Sequence, residues 1–166
     1  MQCRSCYKVV FVGDTASGKT SVLDKMFALK KEPELTVGCE FRQESVKVQS
    51  NCYVAMHYWD VGGSPRFRLF RDMYTKRAKL IFDFVDSTSA CDKPYSDNTV
   101  FTKIDLLDPE KLSSLMKINP LCRFTSAITG DGIEELHIYI QRCARTSHTH
   151  QIMPAKHEEK PSFCVS

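Results

Sequence analysis

No run of about eighteen apolar residues, the length that would cross a bilayer as a helix, occurs in the 166-residue chain. The opening MQCRSCYK also lacks the apolar stretch of a secretory signal, so the expected location is cytoplasmic. Charge of one sign is scarce: the net charge of +3 is spread along the chain, whereas a nucleic-acid binder gathers such charge into one patch. No nucleic-acid partner is expected. The pair Cys3 and Cys6 forms one C-x-x-C with no second pair at zinc spacing, which disfavours a metal site there. The other cysteines fall at 39, 52, 91, 122, 143 and 164, and in a reducing compartment all eight are read as small apolar thiols.

With 42% hydrophobic residues the chain can build one core but not two comfortable ones. Apolar strand-type runs alternate with helix-type segments: residues 7–12, then a helix over 20–29, then extended stretches over 41–48 and 53–59. Further strands are read at 80–85, at 100–101 and at 121–125. Such alternation predicts an α/β fold. After TGDG, Ile133, Leu136, Ile140, Cys143 and Ala144 recur at helical spacing and predict an amphipathic closing helix. The domain is expected over 1–145 and a flexible tail over 146–166, with His148 and His150 solvated in that tail instead of forming a metal pair.

The strongest motif is GDTASGKTS at 13–21, which fits G-x-x-x-x-G-K-[ST] between an apolar run and a helix. Gly13 and Gly18 let the backbone curl so that N–H groups of Asp14, Thr15, Ala16 and Ser17 point at phosphates. Lys19 then neutralises the β- and γ-phosphates, the Thr20 hydroxyl binds magnesium, and Ser21 continues the helix start. The ligand is a nucleoside di- or triphosphate. Guanine is selected further on, by TKID at 102–105 and TSAITG at 125–130. Asp105 can accept both protons on one guanine edge, Lys103 lies along the ring, and the Ala127 N–H can donate to the guanine carbonyl, with Thr102, Ser126 and Ile128 beside them.

Taken in order, GDTASGKTS, TVGCEF from 36, WDVGGSPRFR from 59, FVDSTS from 84, TKID and TSAITGDGIEEL resemble the Ras-superfamily small GTPases, most closely the Rab branch. The resemblance covers 7–144 and implies a P-loop NTPase G domain, a mostly parallel central sheet with helices on both faces. It implies GTP or GDP with Mg2+ as cofactors, Thr36 meeting magnesium and the γ-phosphate, Asp60 holding the metal through water, and Gly63 sensing the γ-phosphate. Contacts that exist only with the third phosphate order two flanking loops and make a switch. Effector and exchange or activating proteins, a monomeric state and a place on the cytosolic face of endomembranes follow from the same resemblance.

Several departures shape the expectation. Ser64 stands where the family has the glutamine that orients the attacking water, and Pro65 follows it. A serine is too short to reach, so hydrolysis is expected to be slow. No aromatic lies between Phe27 and Phe41 to cover the guanine edge, and Ile128 replaces a common lysine. Only 16 positions separate Asp86 from Thr102 (102 − 86), about half the family's spacing. The intervening STSACDKPYSDNTV disfavours a helix, so one helix is missing or shortened after residue 86. Such a helix would bury about four large side chains at about 1.5 to 3 kcal/mol each, comparable to a domain's whole stability. Asp83 is then expected to face water over the gap, the alternative being a paired or protonated carboxylate.

Cys164 in SFCVS does not satisfy C-a-a-X, and no polybasic cluster accompanies it, which disfavours lipidation. A degenerate, non-cycling scaffold is the competing reading. A P-loop kinase is disfavoured because TKID has no role there and no arginine-rich lid is found.

Overall fold

The computed structural model describes residues 6–31 and 34–152. Six strands form one sheet in the order β2-β3-β1-β4-β5-β6. They are β1 Cys6–Gly13, β2 Cys39–Gln49, β3 Cys52–Val61, β4 Leu80–Asp86, β5 Thr99–Thr102 and β6 Arg123–Phe124. Every pairing is parallel except the β2–β3 hairpin. Parallel neighbours require crossovers, and the helices α1 Lys19–Met26, α2 Arg68–Thr75, α3 Pro109–Ile118 and α4 Ile133–Ile152 lie between and after the strands.

Alternation sorts the strand residues onto two faces. On one face Tyr7, Val9, Phe11, Val54, Met56, Tyr58, Phe82, Phe84 and Val100 form a core with Val22 and Leu23 of α1 and Leu136, Ile140 and Ala144 of α4. Edge and tilted contacts of Phe11 with Tyr58, Phe82 and Phe84, at 6.3, 6.1 and 4.7 Å between ring centroids, fill its centre. The opposite face holds a small cluster of Val10, Val12 and Val61, covered by Trp59, Tyr74 and Ala78, and farther along the buried Phe101.

That asymmetry has one cause. Between β4 and β5 the chain makes only a single turn of 3-10 helix at Ser87–Ser89 and then an irregular loop, so the helix expected to be missing is missing. Ile81 remains 37% exposed on β4, and Asp83 is exposed, facing water as expected. The loop partly compensates further along. Tyr95 packs edge-on against Phe101 at 5.0 Å, and Asn119, at the end of α3, accepts from the Tyr95 N–H at 2.7 Å.

Two helices escape a reading based on apolar runs. Helix α3 begins with Asp108 accepting from the Lys111 N–H and with Pro109 in its first turn, a capping signal the sequence displays openly. Helix α2 carries no cap side chain, and its signal is only an amphipathic arrangement over eight residues.

The C-terminal boundary needs correction. Helix α4 continues to Ile152, past the expected end at 145, and His148 is 8% exposed with Nε2 3.3 Å from Cys52 Sγ. His148 packs on Cys52 at the start of β3, a tertiary contact that no local polarity reveals. The reading of uniformly reduced thiols also fails at Cys52, which is disulfide-bonded. Cys3, Cys164, the His150 side chain and the tail from 153 lie outside the described residues as well.

Candidate functional site

The end of β1 and the start of α1 meet in the loop 13–18. Gly13 is required because a Cβ there would lie 2.3 Å from the Phe84 carbonyl oxygen of β4. Gly18, left-handed at φ +86, caps α1 at its N-terminus. Inside the loop Lys19 is 4% exposed, and its ammonium donates to Gly13 O at 3.2 Å, Asp14 O at 2.6 Å and Ser17 Oγ at 3.1 Å. Burial holds its pKa below the usual lysine value, with Asp60 opposing that fall and Arg71 adding to it. A polyphosphate set against such a group would restore the balance.

Three oxygen-bearing side chains converge beside the loop. The Thr20 hydroxyl lies 2.7 Å from that of Thr36 and donates to Asp60 Oδ2, which Thr36 Oγ1 approaches at 3.5 Å. Asp60 is fully buried, and its Oδ1 is a buried acceptor with no partner among the described residues. Burial raises the Asp60 pKa against the pull of Thr20 and Lys19, and Glu40 and Asp24 raise it further. A buried carboxylate with a spare oxygen, flanked by two hydroxyls, suits a hard divalent cation and its water shell. The residues present therefore fit magnesium.

The second flanking loop closes tightly. A Cβ on Gly63 would sit 2.3 Å from both Asp14 C and Thr15 N, so only glycine allows this approach. A cavity of about 490 Å3 is lined by Thr15, Ala16, Gly18, Lys19, Thr20, Ser21, Thr36, Gly63, Ser64 and Lys103. Glu34, Leu35, Val37, Arg66 and Phe67 complete the wall; Val37, Arg66 and Phe67 belong to the quoted motif stretches but had no role assigned, and Glu34 and Leu35 lie outside them. Gly13 and Asp14 instead line a smaller neighbouring cavity of about 150 Å3 with Gly62, Pro65, Phe67 and Arg71.

Asp105, Ser126, Ala127 and Ile128 stand outside the main cavity: Asp105 and Ile128 are exposed, Ile128 to 80%, Ala127 is half-buried and Ser126 is buried beneath them. They are nonetheless assembled. Asp105 Oδ1 accepts from the Ser126 hydroxyl at 2.5 Å, and Lys103, left-handed at φ +56, donates to Asp86 Oδ2 at 2.6 Å. Although burial opposes it, hydrogen bonds from Lys103 and Thr88 hold the Asp86 carboxyl below its ordinary pKa. The buried Thr102 hydroxyl donates to Ser17 O at 2.7 Å and so ties this region to the phosphate loop. The ties through Asp86 and Thr102 were not legible, since they join segments distant in sequence.

A glycine-lined loop at a strand end, a buried lysine within it and two loops closing on it define a P-loop nucleotide-binding G domain. A family model described as "Ras of Complex, Roc, domain of DAPkinase" matches residues 8–105, more than half of the chain. The chain therefore belongs to this Roc family of Ras-like GTPases, close to the Rab branch. It is 33% identical over 88 residues to human EF-hand calcium-binding domain-containing protein 4B, covering 50% of this chain and 12% of that protein. It is 26% identical over 133 residues to rat Ras-related protein Rab-7L1, covering 77% and 65%. With human Ras-related protein Rab-9A it shares 32% over 90 residues, covering 51% and 44%. The chain thus spans less than two thirds of the length of these relatives.

The family is one of Ras-like GTPases, and the match covers the phosphate loop, both flanking loops and TKID. Among the described residues no helix is long and apolar enough to cross a membrane.

Proposed function

We propose that this chain is a Rab-like switch that holds GTP or GDP with Mg2+ in the cavity between the phosphate loop and the two flanking loops, and that hydrolyses GTP slowly. The observation that carries this reading is the convergence of Thr20, Thr36 and Asp60 beside the buried Lys19, with the Asp60 Oδ1 oxygen left unpartnered. Thr20, Thr36 and Asp60 would hold the metal, which would supply positive charge to offset that of the phosphates.

Lys19 binds the same phosphates, the N–H groups of 14–18 cradle them, and Gly63 presents its N–H to the third. Asp105 accepts from the guanine edge, with the Ala127 N–H and Lys103 fixing the ring. Ser64 lines the cavity where a water-orienting amide would act, and its short side chain leaves the attacking water poorly positioned. Around the two loops Leu35, Val37, Phe41, Phe70 and Met73 are 69, 83, 42, 50 and 53% exposed. This apolar surface supports nucleotide-dependent docking of effector and regulatory proteins, with a role in vesicle traffic or signalling at endomembranes.

Loading with radiolabelled GTP, with and without magnesium, tests the reading through affinity and γ-phosphate release. Tight, magnesium-dependent binding with slow release is expected, and Ser64→Gln should accelerate release about tenfold or more. Absence of binding to folded protein would overturn the switch. It would favour instead a degenerate, non-cycling scaffold, a reading supported by Ser64 and the bare sheet face.

A further inference from the structure

The face of β4 left bare by the missing helix is a shaped surface. Its neighbours are covered: Val10 and Val12 of β1 lie under Tyr74 and Ala78, and Phe101 of β5 lies under Tyr95. Between them Ile81, Asp83 and Val85 alternate along the open side of β4. Such a gap, one strand plus its margins, matches a helix of about 10 Å diameter laid over strands about 4.8 Å apart. At its head is the 150 Å3 cavity lined by Gly13, Asp14, Gly62, Gly63, Pro65 and Arg71, large enough for one apolar side chain.

Charge selects the occupant. Asp83 is an exposed carboxylate between two apolar residues, in register with Val12 and Thr99. Although the residue is exposed, the protein packed around the base of its side chain desolvates the carboxyl and raises its pKa, with Arg71 and Lys19 opposing the rise and Asp14 adding to it. Arg71 makes no hydrogen bond or ion pair with Asp83 within contact distance among the described residues. The carboxylate thus keeps its acceptor sites open toward the groove.

We propose that this groove docks an amphipathic helix of a partner protein, with one lysine or arginine facing Asp83 and an apolar residue entering the cavity beside Arg71. The inference goes beyond the nucleotide switch: Ile81, Asp83 and Val85 belong to β4, whereas the cavity at the head of the groove shares Gly13, Asp14 and Gly63 with the phosphate site.

Two designed helical peptides of about 14 residues test it, with leucines at i, i+3, i+4 and i+7 and either Lys or Glu at the centre of that face. The full chain is expected to bind the Lys peptide at least tenfold more tightly than the Glu peptide, with NMR shifts confined to β4 and α2. Asp83→Asn should abolish the preference and Asp83→Lys should reverse it. The thermal midpoint of each variant verifies that it is folded. Three results would overturn the proposal: neither peptide binding, equal binding unaffected by Asp83→Lys, or sedimentation showing this face buried in a dimer of the chain that Asp83→Lys dissociates. Nucleotide binding, measured separately, reports on the switch alone.

Discussion

Thr102→Val removes one hydroxyl and almost nothing else. Thr102 is 1% exposed, its Oγ1 donates to Ser17 O at 2.7 Å and approaches Val85 O at 3.3 Å, and valine keeps the same branched shape. A Cβ built on Gly18 would lie 3.3 Å from Thr102 Cβ, so side chain and phosphate loop are already in close contact and little relaxation can fill the loss. Ser17 is itself only 3% exposed, and its carbonyl would lose this donor in a dry environment. Leaving a buried group unpaired costs about 1 to 3 kcal/mol. For a domain of this size that corresponds to a fall in thermal midpoint of roughly 2 to 12 °C.

Because the bond ties the base-side strand to the phosphate loop, part of the loss should also fall on nucleotide retention. Dissociation of a fluorescent guanine diphosphate should quicken by about five- to a hundredfold, while Thr102→Ser, which keeps the donor, should stay near the wild-type rate. The assay is stopped-flow release together with thermal unfolding of the nucleotide-free protein. If Thr102→Val matched wild type in both, or if Thr102→Ser were equally impaired, the tie would have no energetic role.

Gly63→Ala should selectively weaken triphosphate over diphosphate binding, since its methyl would meet the Asp14–Thr15 backbone at 2.3 Å; an unchanged ratio of the two dissociation constants would refute this. Asp105→Asn should move preference from guanine toward xanthine in competition binding, because one of two acceptor oxygens becomes a donor. Burial tends to raise the Glu44 pKa, but hydrogen bonds from His137 at 2.7 Å and Tyr58 at 2.6 Å, the His137 charge and Gln141 outweigh it, so the folded value is lowered. Its stabilisation is present above the unfolded carboxylate pKa of about 4.3 and is lost as pH falls through the lower folded value. Denaturant unfolding of wild type and Glu44→Gln should differ most at near-neutral pH and converge in acid. A difference that grew on acidification would contradict this account.

Much of the molecule was legible because its signals are local. The phosphate loop announces itself through glycines that must adopt turns and a lysine at fixed spacing, and strand alternation places β1, β3 and β4 without knowledge of their partners. The missing helix was also readable, as a spacing too short and a composition too broken by proline and aspartate to form one. Helix α3 carried an Asp-Pro cap that a closer reading of local signals recovers, whereas α2 and the last turns of α4 owe their form to the surfaces they pack on.

The residue types proposed for the candidate site, namely the glycines and lysine of the phosphate loop, the Thr20, Thr36 and Asp60 oxygens and the Asp105 carboxylate, were thus set by the sequence itself. Only the tertiary structure decided how these groups meet: Lys103 on Asp86, Thr102 on Ser17, Thr20 with Thr36 at Asp60, and Cys52 against His148. It also left Asp83 and its strand uncovered. Backbone conformation and residue type act over a few positions and leave periodic traces in the sequence. Contacts across 16 to 96 positions depend on how strands are ordered in the sheet, and such order leaves no periodic trace.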